Sequence, residues 1–215
     1  MPRMKVTVIA PLLRLDYPTK LSHRAMIKVY LWAKKNGYDV ILLESEFANP
    51  ISFFSVGRKG SIVCYGGHAT PVSWVGQWIL FHLLAPYGIK KVPGVKGKIL
   101  ASIPACQPAK ILGPLAVRSG AKAFIGSVDY MWAGMGPDIG WEGYNYAKDF
   151  VDTWVTFHTE LIRTQDPEHA LSVYKSKCHE YAEKYEAEKP DSEWEYHAWA
   201  MKENSEKIRL FWGEK

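Results

Sequence analysis

Two residues of this 215-residue chain pair a nucleophile with a base at matched positions, Cys106 and His68. Each follows a short apolar run. Ser61-Ile-Val-Cys-Tyr65 leads into Gly66-Gly67-His68, and Ile99-Leu-Ala-Ser-Ile103 leads into Pro104-Ala105-Cys106. An imidazole close to a thiol favours the thiolate, the form that attacks a carbonyl carbon. Gly66 and Gly67 permit a sharp backbone turn that leaves amide N–H groups free to face an oxyanion. The same residue types have a second reading, a loop histidine bonded to backbone and a cysteine acting as a small buried apolar group. Residue type alone leaves both open.

For the pair to meet, its two strands must be neighbours in one parallel sheet. Equivalent ends of adjacent strands then lie roughly 5 Å apart, and reactive groups of open α/β sheets gather at the carboxyl ends. The chain supplies suitable runs at residues 5–10, 40–43, 61–65, 99–103 and 123–127. Between them, Ser22 is expected to cap a helix with Met26, Ile27, Tyr30, Leu31 and Ala33 at helical spacing, closed by Asn36-Gly37. Val72–Leu84 reads as a buried helix, and Pro108–Gly120 as partly helical. This alternation predicts an α/β fold with a mainly parallel sheet and helices on both faces. Beyond the Gly/Pro-rich loop Ala133–Gly143, three charged amphipathic helices are expected at Tyr146–Arg163, Pro167–Glu188 and Ser192–Trp212. The expected organisation is an α/β domain over 1–145 and a helical extension over 146–215, docked through Trp154, Trp194, Trp199 and Trp212.

Composition bounds the function. Hydrophobic residues make up 47% and charged residues 23%, enough to build a core, which excludes a disordered, collagenous or rod-like chain. Apolar runs are interrupted too often for a transmembrane helix, and the N-terminus runs straight into a strand-like segment. A cytoplasmic protein without membrane partners is therefore expected. Three cysteines with no CxxC pair argue against a disulfide framework and a zinc site. Cys64 reads as strand core, Cys178 and His179 as packing or solvated residues. His158, His169 and His197 show no ligand spacing, and the phosphate- and dinucleotide-binding glycine motifs and GxSxG are missing, so no metal or cofactor is expected. The net charge of +5 is uneven: residues 1–142 carry 17 Lys/Arg and 7 Asp/Glu, residues 143–215 carry 10 and 15. The tail is expected to neutralise a basic core. The cluster Lys90, Lys91, Lys96 and Lys98 lacks interleaved aromatics and reads as a solvated loop rather than a nucleic-acid surface.

The blocks Ser61–Ala69 and Lys98–Gln107 resemble the His and Cys blocks of the caspase–gingipain superfamily, the clan CD cysteine peptidases and their CHAT relatives. The run Leu112–Ser127 is similar to the segment that follows the nucleophile there, so the resemblance spans about residues 60–132. It implies a caspase-like three-layer sandwich, with Cys106 as nucleophile and His68 as general base and acid. Backbone N–H groups near Gly67, Ala69 and Cys106 would hold the oxyanion. A peptide or protein is the implied substrate, and a homo-oligomer is left open. Residues after the next strand shape the substrate pocket in such folds, which points to Ser127, Asp129 and Trp132, with Gln107 beside the nucleophile. Asp129 is the first carboxylate after Glu46 and would select Arg or Lys; a turn cap or a local lysine partner is its structural alternative. Asp129 could also orient His68 in a triad, although the superfamily generally works as a dyad. Ala69 stands where the family has Gly, Gln107-Pro108 where it has a small residue, and Pro114 interrupts the following helix. Those departures motivate the alternative of a non-catalytic interaction module. A small-molecule-binding domain using the same rim is a third reading.

Overall fold

The computed structural model describes residues 4–13, 16–77, 82–86 and 91–214. In chain order the first elements are β1 (Lys5–Ala10), α1 (Tyr17–Lys35), β2 (Asp39–Glu44), α2 (Pro50–Ser55) and β3 (Ile62–Tyr65). Three short strands follow, β4 (Ala69–Thr70), β5 (Ser73–Val75) and β6 (His82–Leu84), then β7 (Ile99–Ser102), α3 (Leu112–Arg118) and β8 (Ala123–Ser127). The chain closes with α4 (Tyr146–Thr164), α5 (Pro167–Glu188), α6 (Trp194–Lys207) and β9 (Ile208–Trp212). The main sheet has the order β2-β1-β3-β7-β8-β9. All its pairs are parallel except β8 with β9.

Strand alternation divides the interior into two cores. Val6, Val8, Ile62, Cys64, Ile99, Ala101, Ala123 and Ile125 face one way, against α1, α4, α5 and α6. Ile9, Val63, Tyr65, Leu100 and Phe124 face the other way, against α2, α3 and the small antiparallel sheet β4-β5-β6. The result is a three-layer α/β sandwich. Trp154 from α4 is fully buried in the first core, where truncation to Ala would cost about 3–5 kcal/mol.

Several local expectations change. The first helix starts at Tyr17, not at Ser22: Asp16 accepts from the Thr19 N–H at 2.8 Å, and Pro18 suits the first turn. The expected helix over Val72–Leu84 is replaced by β5 and β6, with residues 78–81 outside the described set. Trp74 there stacks on Tyr65 at 4.8 Å, which a strand pairing with β4 and β6 permits. Ser192–Trp212 is not one helix, because its last five residues pair with β8 as an edge strand. A short run such as Ile-Arg-Leu-Phe-Trp fits either period. Trp154 and Trp194 pack on the core as expected, whereas Trp199 and Trp212 remain exposed. Lys90 of the basic cluster lies outside the described residues. No described helix is long and apolar enough to cross a membrane.

Candidate active site

Because β3 and β7 are neighbours, with Cys64 opposite Ala101, the loops beyond their carboxyl ends meet at one rim. His68 and Cys106 both line a cavity of about 130 Å³ there, together with Thr19 and Ser22 of α1, Trp132 and Trp154.

The His68 loop is drawn tightly over the sheet edge. Gly66 N–H donates to Ile9 O at 3.2 Å, and Gly67 N–H to Pro104 O at 3.3 Å. A Cβ at Gly67 would lie 2.6 Å from Pro11 Cγ, so only glycine fits this close approach. The buried Tyr65 hydroxyl lies within hydrogen-bond reach of the His68 and Val75 carbonyls and ties the loop to β5. Val75 N–H donates to His68 O at 3.0 Å, so the adjacent pair Ala69–Trp74 is a non-hydrogen-bonded one. The Ala69 N–H therefore points away from β5.

On the imidazole, Nε2 lies 3.1 Å from Asp16 Oδ2, the oxygen that also caps α1 through Thr19. A carboxylate only accepts here, so it takes the Nε2–H and leaves the Nδ1 lone pair as the basic site. Asp16 is thus a positioning group for His68. Its signal in the sequence is Asp-Tyr-Pro, an N-cap followed by a first-turn proline, and that pattern fixes the helix start rather than the contact.

The Cys106 loop follows a cis Ile103–Pro104 bond. Buried His158 of α4 holds the Ile103 carbonyl through Nε2; burial lowers its pKa from 6.5 to about 4, so the ring is neutral. After the cysteine the chain turns at Gln107, whose φ of +65° is left-handed, at a cost of about 1–2 kcal/mol for a residue with a Cβ. Its N–H donates to Asp129 O at 3.0 Å, and Ala109 N–H to Ser127 O at 2.9 Å. Cys106 Sγ accepts from the Met131 N–H at 3.4 Å. No described group accepts from the Cys106 N–H. Burial raises the thiol pKa above its usual 9, the Asp129 and Asp16 charges add to that, and the Met131 N–H and Lys207 oppose it. The resting thiol is protonated at neutral pH.

The loop bearing Met131 is fixed from the C-terminal helices. Buried Asn204 of α6 accepts from Trp132 N–H and donates to Trp132 O, both at 2.9 Å. The Trp132 ring contacts Trp199 at 5.1 Å and Lys207 Nζ at 5.4 Å. The residues over 146–215 thus complete the site.

Of the residues singled out in the sequence, His68, Cys106, Gly67 and Trp132 line the cavity, whereas Ala69, Gln107, Ser127 and Asp129 are outside its described lining. Ser127 is buried and exchanges hydrogen bonds with the Asp129 backbone, 2.7 and 3.1 Å. The Asp129 side chain is half exposed; Oδ1 accepts from Tyr130 N–H at 2.9 Å and lies 3.9 Å from Lys110 Nζ. The Tyr130 N–H is the main reason its pKa falls below the usual carboxylate value. Pro114 falls in the first turn of α3, where no intrahelical N–H is lost. Among the described residues no group of three His, Cys, Asp or Glu could hold a metal ion. Asp16, His158, Met131 and Asn204 are the contributors that sequence reasoning missed.

No protein-family model matches the chain, and no curated protein matches it in sequence. Solved structures do. The Arg-specific cysteine proteinase gingipain R superposes with a TM-score of 0.55 at 12% identity, covering 98% of this chain and 46% of the other. A complex of the pro- and mature domains of RgpB from Porphyromonas gingivalis gives 0.54 at 11% identity, covering 98% and 47%. The chain therefore spans about half the length of the structures it matches. In sheet order, in layering and by these superpositions, the chain has the caspase–gingipain-like α/β fold.

Proposed function

We propose that this protein is a cysteine endopeptidase with Cys106 as nucleophile and His68 as base and acid. The observation that supports this most is the convergence of both side chains on one cavity, with a carboxylate 3.1 Å behind the imidazole. In the reading proposed, Sγ bonds to the scissile carbonyl carbon as its proton passes to Nδ1 of His68. General-base transfer suits a thiol whose pKa is raised by burial. The oxyanion is held by the Ala69 and Cys106 N–H groups; Gly67, expected to share this role, has its N–H donated to Pro104. Collapse breaks the C–N bond, the amine leaves with the proton from His68, and a thioester remains. Water then attacks it, giving its proton to His68, and the acid is released with Cys106 restored.

The expected preference for Arg or Lys depends on Asp129, whose carboxylate is engaged by Tyr130 N–H and Lys110 outside the described cavity lining. The geometry supports the peptidase more strongly than that preference. A mixed-sequence fluorogenic peptide library tests it, with Cys106→Ala and His68→Ala as controls. Hydrolysis that disappears in both variants is expected. Hydrolysis surviving Cys106→Ala refutes the mechanism, and a folded wild type without hydrolysis favours the non-catalytic interaction module.

A further inference from the structure

The cavity beside the dyad has a charge pattern of its own. Its apolar walls include Pro18, Ala105, Met131 and Ala133, with the Trp132 and Trp154 rings. Its hydroxyls are buried and already donating, Thr19 to Asp16 and Ser22 to Thr19 O at 3.0 Å. The indole N–H groups of Trp132 and Trp154 are buried without acceptors. No carboxylate is found among the described lining residues. Asp16 Oδ2 is shared by Thr19 and His68, and Lys207 Nζ lies against the Trp132 ring, paired to Glu203 at 2.9 Å.

A cation entering this space would leave water among largely apolar walls with no carboxylate in the described lining, and the nearby Asp16 Oδ2 is already shared by Thr19 and His68, so its burial would be poorly compensated. A carboxylate would lose its hydration without a cation at hand and would approach the Asp16 charge. An uncharged side chain pays neither penalty. The size also sets a limit, since a cavity of about 130 Å³ is close to the roughly 150 Å³ that accommodates benzene.

Resting on the peptidase reading above, we propose that this cavity receives the side chain preceding the cleaved bond and selects an uncharged one, of the size of Leu, Met or Gln, against Arg, Lys and Asp. Peptidyl acyloxymethyl ketones that differ only at that residue test it by intact-mass spectrometry. In each, Sγ displaces the carboxylate leaving group: a C–S bond forms, the C–O bond breaks, and the thiol proton passes to His68. The expected result is modification of Cys106 at least about 100-fold faster by the Leu, Met and Gln probes than by the Arg and Lys probes. Faster or equal reaction of the Arg or Lys probe at Cys106 overturns the specificity while leaving the peptidase standing. Failure of every probe, with Cys106 still alkylated by iodoacetamide, overturns the peptidase reading and the proposal with it. In Ser22→Asp, a carboxylate introduced into the cavity wall should raise the Arg-to-Leu rate ratio at least about tenfold. A folded Ser22→Asp protein with an unchanged ratio shows that the side chain binds elsewhere.

Discussion

Removing the Asp16 carboxylate separates orientation of His68 from the chemistry of Cys106. Asp16 Oδ2 does two things at once, accepting from Nε2 of His68 at 3.1 Å and capping α1 through the Thr19 N–H at 2.8 Å. A hydrogen bond to a charged group contributes about 1.5–3 kcal/mol. Here the two side chains are 41% and 32% exposed, so solvent screening places this contact at the lower end. About 1.5 kcal/mol corresponds to roughly a tenfold change. Asp16→Ala should therefore lower kcat/KM about tenfold on the best peptide of the library, chiefly through kcat. Loss of the cap should cost a further ~1 kcal/mol of stability, or about 2–4 °C in Tm. In Asp16→Asn an amide oxygen can stand where Oδ2 was and still accept from both groups. Its Tm should match the wild type, with kcat/KM reduced by only about half as many logarithmic units as in the alanine variant. Steady-state hydrolysis and calorimetry of the three proteins decide the matter. An Asp16→Ala protein within twofold of wild-type kcat/KM would show that the contact does not orient the base.

Two other outcomes follow from contacts around the site. Asn204→Ala leaves both the Trp132 N–H and C=O unpaired, at about 1–3 kcal/mol each; the expected loss of Tm is about 4–24 °C, with kcat/KM falling as the Met131 N–H leaves Cys106. A Tm within 2 °C of wild type would count against the clamp. His158 and His197 are neutral in the fold, their pKa values lowered by burial from 6.5 to about 4. Between those values the unfolded chain binds more protons than the folded one, so stability is retained above pH 6.5 and lost as pH falls towards 4. The urea midpoint should drop between pH 7 and pH 4.5, and His197→Phe should flatten that slope; an equal slope in both proteins would refute the role of His197.

The parallel strands of the main sheet were legible because a strand buried on both faces reads as a short continuous apolar run, as in Ile62-Val-Cys-Tyr65, whose residues divide between the two cores. Val72–Leu84 misled for a related reason: apolar density does not reveal period when Gly76 and Gln77 interrupt it. The same ambiguity hid β9, whose Ile208 pairs with Ser127 across the sheet. Pro114 looks like a helix breaker in the sequence, yet position within the first turn decides what a proline costs.

What the sequence alone determined is the placement of the proposed pair, since apolar runs ending in Gly-Gly-His68 and Pro-Ala-Cys106 put both residues at strand ends by local rules. Everything that tunes the pair was decided by tertiary structure. Asn204 grips Trp132 across 72 residues, and His158 reaches Ile103 across 55. Asp16 reaches His68 only because α1 packs beside the rim. The charge of the cavity was likewise out of reach: the sequence shows that Asp129 follows a long stretch without carboxylates, but not which way its side chain turns. Its Oδ1 accepts from the Tyr130 N–H and lies 3.9 Å from Lys110 Nζ, outside the described cavity lining, while Pro18, Thr19 and Ser22 of α1 and Trp154 of α4 line the space beside the thiol.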